Sequence, residues 1–370
     1  MQFIDLGAQY RRLRPSIDQA IFRVLEHGQY IMGPEIEELE QKLSELIGGG
    51  HCICCSSGTD ALLMPLLAAS IGPGDAVFTT PFTFFASPEV VALAGATPVF
   101  ADIRRDTYNI DPEALAAVIE RTLRQGKLRP RAIIAVDLFG TCADYDALNA
   151  LADQHGLLLI EDAAQAFGAR YRGRTAPGLA PVGATSFFPA KPLGCYGDGG
   201  AIFTPDTDLA ERLRSIRVHG QGDDRYNNVR IGLNGRMDTL QAAILLQKLT
   251  VYQDEIERRQ EVARRYLLNL EGVLPRLPTV PEECLSVFAQ FCVESEKRSE
   301  IQAALKQENI PTAVYYHKPM HLLDAFRHLG GREGDFPVAE AAAKRIFALP
   351  FHPYLEPSEI DRICQIIRQV

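Results

Sequence analysis

Apolar residues recur at Ile36, Leu39, Leu43, Leu46 and Ile47, the 3.6-residue spacing of a helix with one buried face. Gly33-Pro34 suits its start, because proline's fixed φ fits the first helical turn and its missing N–H costs nothing there. Gly48 suits its stop. From Gly50 to about Thr204 the pattern changes. Short, wholly apolar runs at 52–55, 76–79, 98–101, 132–136 and 157–160 predict strands buried on both faces. Helical stretches separate them at 60–69, 87–94, 112–123 and 145–155, and Gly72-Pro73-Gly74-Asp75 punctuates one junction. Such alternation predicts parallel crossovers, hence an α/β architecture: a large, mostly parallel sheet with helices on both faces.

After Leu249 the character shifts. A long charged helix is expected through 255–266, then a turn containing Pro275, Pro278 and Pro281. A strand at 288–293, a helix at 299–308, a strand at 312–316 and a final helix at 357–369 follow. The expected organisation is a large domain over 1–249 and a smaller α+β domain over 250–370. No internal repeat or low-complexity segment interrupts it.

Composition narrows the function classes. The 370 residues exceed one small core, and 46% apolar with 23% charged residues is ordinary for a globular protein in water. The net charge of −9 argues against nucleic acid as a partner, since backbone-phosphate binding calls for a basic surplus. It leaves room for a local pocket that takes a small phosphorylated ligand. No apolar run approaches the roughly 20 residues of a membrane span, and Met1-Gln2-Phe3-Ile4-Asp5 lacks the charged and apolar regions of a signal peptide. Of eight cysteines, Cys52, Cys54 and Cys55 crowd one predicted strand. No second pair completes a zinc site, so they read as buried thiols, and a cytoplasmic location is expected.

Three stretches carry candidate chemistry. Ser56-Ser57-Gly58-Thr59-Asp60 follows a strand and opens a helix. Free N–H groups at a helix start, a glycine that permits close approach and flanking hydroxyls suit a phosphate, although Ser-Gly-Thr also serves as an ordinary cap. Leu158-Leu159-Ile160-Glu161-Asp162-Ala163-Ala164-Gln165 ends an apolar strand in two carboxylates, at the sheet edge where α/β proteins place their sites. Thr185-Ser186-Phe187-Phe188-Pro189-Ala190-Lys191-Pro192-Leu193-Gly194 sets Lys191 among apolar flanks. Burial there lowers an amine's pKa and readies it to attack a carbonyl. Gly197-Asp198-Gly199-Gly200 does not extend to a dinucleotide fingerprint. Phosphate loop, then Asp162 about 100 residues later, then Lys191 about 30 beyond is the set of parts that pyridoxal phosphate needs: an anion cradle, a carboxylate for the ring nitrogen and an aldehyde-trapping amine.

Those residues carry a resemblance to the DegT/DnrJ/EryC1/StrS family of sugar aminotransferases, which have the aspartate-aminotransferase (type I) fold. It runs nearly end to end. It includes Phe3-Ile4-Asp5-Leu6, Gly28-Gln29-Tyr30-Ile31-Met32-Gly33-Pro34-Glu35, Ser57-Gly58-Thr59-Asp60-Ala61-Leu62, Glu161-Asp162-Ala163-Ala164-Gln165, Asn234-Gly235-Arg236-Met237-Asp238 and Leu349-Pro350-Phe351-His352-Pro353. The resemblance implies catalytic roles for Lys191, as the Schiff-base lysine and proton carrier, and for Asp162, as partner of the pyridine nitrogen. It implies that Gly58, Thr59 and Ser186 hold the phosphate, that Phe84 stacks on the ring and that Gln165 lies near the ring hydroxyl. Core packing is the plain alternative for Phe84. Asn234 would reach the cofactor of a partner subunit, which implies a homodimer with shared sites. The cofactor is expected to alternate between pyridoxal and pyridoxamine phosphate, with L-glutamate as amino donor.

Lys191 favours amino transfer over the family's dehydratase branch, which has histidine at this position, and over a non-catalytic sensor. The stretch 186–200 most resembles enzymes acting at C3 of UDP-linked 3-keto-N-acetylglucosamine derivatives, whose products are 3-amino sugars for lipid A or surface polysaccharide. Arg236, Tyr315 and Tyr316 are the expected substrate contacts. Uronate-specific members carry His-Tyr where this chain has Tyr315-Tyr316, so the expectation leans to the neutral sugar, with the 3-keto uronic acid as the alternative. Arg236 suits a carboxylate of either sugar or donor, or a salt bridge that holds the dimer. Asp137 adds an acidic group in a stretch where related enzymes differ.

Overall fold

The computed structural model describes residues 1–224 and 226–370. In chain order its strands are β1 (His51–Cys55), β2 (Asp75–Thr79), β3 (Thr97–Phe100), β4 (Arg129–Val136), β5 (Leu158–Asp162), β6 (Arg170–Tyr171), β7 (Arg174–Thr175), β8 (Val182–Ser186), β9 (Gly200–Thr204), β10 (Cys284–Leu285), β11 (Phe291–Glu294) and β12 (Ile346–Leu349). A seven-stranded sheet in the order β1-β9-β8-β5-β4-β2-β3 forms the centre. Neighbours from β3 to β8 are parallel. Only β9 runs against its neighbours β8 and β1. The reason is local: helices connect β2 to β3, β3 to β4 and β4 to β5, and the long segment with β6 and β7 connects β5 to β8, whereas the short stretch 187–199 returns directly from β8 to β9 and gives antiparallel pairing.

Alternate residues of the central strands enter different cores, which is why their inner residues are apolar in succession. On β4, Ile133 and Ala135 face one layer with Phe78, Leu115 and Leu159, while Ala132 and Ile134 face the other with Val77, Val90 and Ile160. The helix Pro34–Ile47 starts and stops as its sequence implies, and Ile36, Leu39 and Leu43 are buried. Each of these contributes roughly 1.5–3 kcal/mol relative to exposure. Leu46, expected on the same face, is 49% exposed.

The helix Leu6–His27 is not evident from the spacing of apolar residues, because Pro15 and the run Arg11, Arg12 and Arg14 obscure its stripe. Its Leu13 and Ile17 pack on Ile244, and its Ala20 and Val24 on Ala243. These partners lie on the helix Thr239–Leu270, far longer than the expected 255–266. That helix enters the central core with Leu245, Leu246, Tyr252 and Ile256. It continues into a second core with Val262, Ala263, Tyr266 and Leu270, alongside Phe291, Phe347 and Ile363. The expected division after Leu249 therefore falls within a helix that both cores share. The two-stranded sheet of the second core pairs β11 with β12. The expected strand at 312–316 does not form; only Ala313 bridges Ala348. The apolar, fully buried run Ile346–Leu349 takes that place, and the residues after Ala313 turn toward the main sheet.

Candidate active site

β1, β4, β5 and β8 end on the same sheet edge, so Ser56–Thr59, Asp137, Asp162 and Ser186 converge there although the chain separates them widely. The cradle is built at the start of the helix Gly58–Ala68. Ser57 caps it by accepting from the Asp60 amide at 3.1 Å, and the Ser56 hydroxyl hydrogen-bonds the Asp60 carboxylate. The Gly58 and Thr59 amides have no protein partner among the described residues. A Cβ at Gly58 would lie 2.6 Å from Ser186 Cβ, so only glycine lets the loop pass that strand end. Two free amides, a hydroxyl and a helix start fit a phosphate group.

Asp162 is buried beneath this edge. Its Oδ2 accepts from the Ser87 hydroxyl at 2.8 Å and its Oδ1 from the Ala164 amide at 3.2 Å. Burial pushes the carboxyl's pKa up; Ser87, the Ala164 amide and the Lys191 charge oppose that shift. Thr83 in turn lies 3.1 Å from Ser87, oxygen to oxygen. A buried carboxylate whose hydrogen-bond donors among the described residues are a hydroxyl and an amide fits a protonated ring nitrogen, which would add a cation. Lys191 stands on the loop after β8, its amide donating to Phe188 O at 2.9 Å. Burial lowers its amine's pKa and the nearby Asp162 raises it. Its Nζ forms no hydrogen bond or ion pair among the described residues, so it is free to react.

Gln165 has its Oε1 on the Phe139 amide at 2.7 Å and donates from Nε2 to the Tyr316 hydroxyl at 3.1 Å. Tyr316, which follows Tyr315 through a cis peptide, packs edge-on against Phe82. Its oxygen accepts from Gln165, so its own proton is free for a ligand. Tyr315 is half-buried against Phe3 and Tyr316. Phe84 is 55% exposed rather than part of the core, leaving its ring free to cover a flat ligand. The Gly235 carbonyl accepts from the Ser56 amide at 2.9 Å, tying the 234–238 stretch to the cradle, while the Asn234 side chain is exposed. Arg236 Nε is buried without a partner, and the guanidinium forms no ion pair among the described residues.

Several contributors escape sequence reasoning. Ser87 stands near a helix start and reads as a cap, yet that helix, Ala86–Leu93, has no side-chain cap bond and Ser87 turns to Asp162 instead. Lys248 gives no signal on its long helix. It is buried, donates to Gly194 O at 2.5 Å and stands 4.1 Å over the Tyr196 ring, holding the loop that follows Lys191. Burial lowers its pKa to about 8. Asp137, the acidic group noted in the sequence, is fully buried within the protein. The cysteines of β1 are buried free thiols, and no metal-binding cluster occurs among the described residues.

Ser87→Ala is expected to lower kcat about tenfold, because a hydrogen bond to a charged group contributes roughly 1.5 kcal/mol. KM for the donor should stay constant and Ser87→Thr should restore the rate. Steady-state kinetics of both variants check this, and wild-type kcat in Ser87→Ala contradicts it.

The DegT/DnrJ/EryC1/StrS aminotransferase family matches residues 12–368. A Pseudomonas aeruginosa protein described as UDP-2-acetamido-2-deoxy-3-oxo-D-glucuronate aminotransferase is 48% identical over 98% of each chain. An Acidithiobacillus ferrooxidans protein described as a UDP-N-acetyl-3-dehydro-alpha-D-glucosamine 3-aminotransferase is 38% identical, covering 99% of this chain and 96% of that one. A crystal structure of a family member from Brucella abortus superposes with a TM-score of 0.98 at 50% identity, covering 100% of this chain and 99% of that one. A Bacillus subtilis structure with bound pyridoxamine phosphate gives a TM-score of 0.89 at 28% identity, covering 97% and 82%. Full-length agreement in sequence and fold, over a site that offers a free lysine and an anion cradle, means that this chain belongs to the DegT/DnrJ/EryC1/StrS family and is a pyridoxal-phosphate-dependent sugar aminotransferase.

Proposed function

We propose that the enzyme transfers the amino group of L-glutamate to C3 of a UDP-linked 3-keto-N-acetyl sugar, with the uronic acid as its preferred form. In this reading the Gly58 and Thr59 amides and the Ser186 hydroxyl bind the cofactor's phosphate. Asp162 keeps a proton on the ring nitrogen, and Phe84 covers the ring. When bound, the cofactor supplies an electron sink. Lys191 Nζ, whose pKa burial lowers, would carry the proton from the donor's α-carbon to the cofactor and, in the second half-reaction, carry one back to C3 of the sugar. The observation that carries this reading is an unpaired amine near a buried carboxylate whose hydrogen-bond donors among the described residues are Ser87 and an amide.

The choice of sugar rests on Arg236. A guanidinium whose Nε is buried and unpaired favours an anionic ligand, since an uncompensated charge there is costly. The relative at 48% identity is described as acting on the uronate, and the one at 38% on the neutral sugar. The lean to a neutral sugar drew on Tyr315-Tyr316, and these rings have other duties, against Phe3 and Gln165. The neutral sugar remains the second reading, because the free Tyr316 proton suits a neutral hydroxyl. The product would be a 3-amino sugar nucleotide for surface polysaccharide, with lipid A the destination under the second reading.

The active unit in this reading is a cytoplasmic homodimer with shared sites. Phe22, Leu25, Ile31, Met32, Phe188 and Ile231 are exposed apolar side chains of the single chain, more than an isolated surface needs. The exposed Asn234 would complete the partner's phosphate site. No helix among the described residues is long and apolar enough to cross a membrane.

The test compares the two keto sugars, each generated in situ by its own dehydrogenase. A kcat/KM preference of about tenfold or more for the uronate, roughly 1.4 kcal/mol of transition-state binding, is expected. Arg236→Gln should collapse it. Equal or inverted preference overturns the uronate.

A further inference from the structure

Asp137 follows β4, and Glu161 precedes Asp162 on β5, where Ala135 pairs with Glu161 and Val136 with Asp162. Both side chains are 0% exposed. One oxygen of each is satisfied. Asp137 Oδ1 accepts from the Ala143 amide at 2.8 Å and the Tyr145 hydroxyl at 3.0 Å, and Glu161 Oε2 accepts from the Leu179 amide at 2.8 Å. The other two, Asp137 Oδ2 and Glu161 Oε1, have no hydrogen-bond partner among the described residues. The two carboxyls interact with each other, and a single proton between them satisfies both orphaned oxygens. The titratable groups around them are Tyr145, Cys142, Cys284 and Asp162, and no cation forms an ion pair with either carboxyl among the described residues. Two bare charges would therefore stand uncompensated in the core.

We propose that Asp137 and Glu161 share one proton and act as a positioning pair for Asp162. The Asp137 amide donates to the Asp162 carbonyl at 3.0 Å, and Glu161 is bonded to Asp162 through one peptide. The shared proton thus clamps the ends of β4 and β5 and fixes the direction in which the Asp162 carboxylate points. This rests on the reading of Asp162 as the ring-nitrogen partner.

Burial is the largest force on both groups, lifting Asp137 to about 7 and Glu161 well above the usual carboxylate range. Folded pKa values above the unfolded ones mean that the folded chain holds the extra proton. The stabilisation is then complete below the ordinary carboxylate range and declines as pH rises, first through about 7, where Asp137 ionises and one proton is left between the two, and finally through the higher Glu161 value, where that shared proton leaves.

Asp137→Asn and Glu161→Gln each replace the shared proton by an amide N–H that cannot be titrated away. At neutral pH the infrared difference spectrum of holoenzyme, wild type minus either variant, should show the carbonyl stretch of a protonated buried acid. As pH is raised from about 7 to the point where that carbonyl band disappears, wild-type cofactor affinity should fall about threefold more than that of either variant, and its melting temperature should decline more steeply. The subtraction removes titrations common to all three proteins. Absence of the carbonyl band, with both variants folded, overturns the shared proton. Parallel cofactor-affinity curves overturn the positioning role even where the band is present. Failure of the underlying reading shows itself elsewhere, as unchanged kinetics in Asp162→Ala.

Discussion

Lys191→Ala is expected to lower kcat for amino transfer by at least about 10⁴-fold, or roughly 5.5 kcal/mol. The variant loses the amine that stands near Asp162 and has no hydrogen bond or ion pair among the described residues. It removes two functions at once, covalent capture of the cofactor and movement of the α-proton, and no neighbour replaces them. Lys248, the other buried lysine near this loop, is committed to Gly194 O and to the Tyr196 ring. The cradle does not use the Lys191 side chain, so cofactor should still bind without a covalent link. Borohydride reduction followed by mass measurement separates the two states: wild type retains the cofactor's mass, Lys191→Ala does not. Wild-type turnover in the variant would remove Lys191 from the chemistry.

Asp162→Ala is expected to reduce kcat by about 10² to 10³-fold, roughly 2.7–4 kcal/mol, the scale of a single well-placed electrostatic group in a dry site. The pH dependence has a definite sign. Burial raises the Asp162 pKa, and only the ionised form holds a proton on a ring nitrogen, so activity is present above that pKa and declines as pH falls through it. Ser87 stabilises the ionised form, so Ser87→Ala should move this acid limb upward. An acid limb that stays fixed in Ser87→Ala, or full activity in Asp162→Ala, contradicts the assignment.

Much of the fold is legible wherever local pattern and final environment agree. The strands β1 to β5 are apolar on both faces because both faces are covered, and the helix Tyr145–His155 has the bounds its pattern implies. Legibility fails where the environment is non-local. The stripe of Leu6–His27 is interrupted by arginines because its partner is a distant helix rather than the sheet. Local pattern does not distinguish β12 from 312–316, since pairing with β11 depends on which apolar run reaches it. Lys191 and Asp162 are visible because reacting groups follow apolar strands at a known sheet edge. Ser87, Lys248 and the Asp137–Glu161 pair are not, since their roles exist only through contacts across 75 residues, 54 residues and a strand boundary. Gln165 and Tyr316 are each named by the resemblance, but their contact with each other, across 151 residues of chain, is not legible.

The central claim is amino transfer through Lys191, and the donor half-reaction tests it with no sugar present. Holoenzyme mixed with L-glutamate should release 2-oxoglutarate in a single burst of about one equivalent per active site, then stop until a keto sugar is added. Lys191→Ala should give no burst. A wild-type enzyme that releases no 2-oxoglutarate, or a Lys191→Ala variant that matches the wild-type burst, would contradict the account.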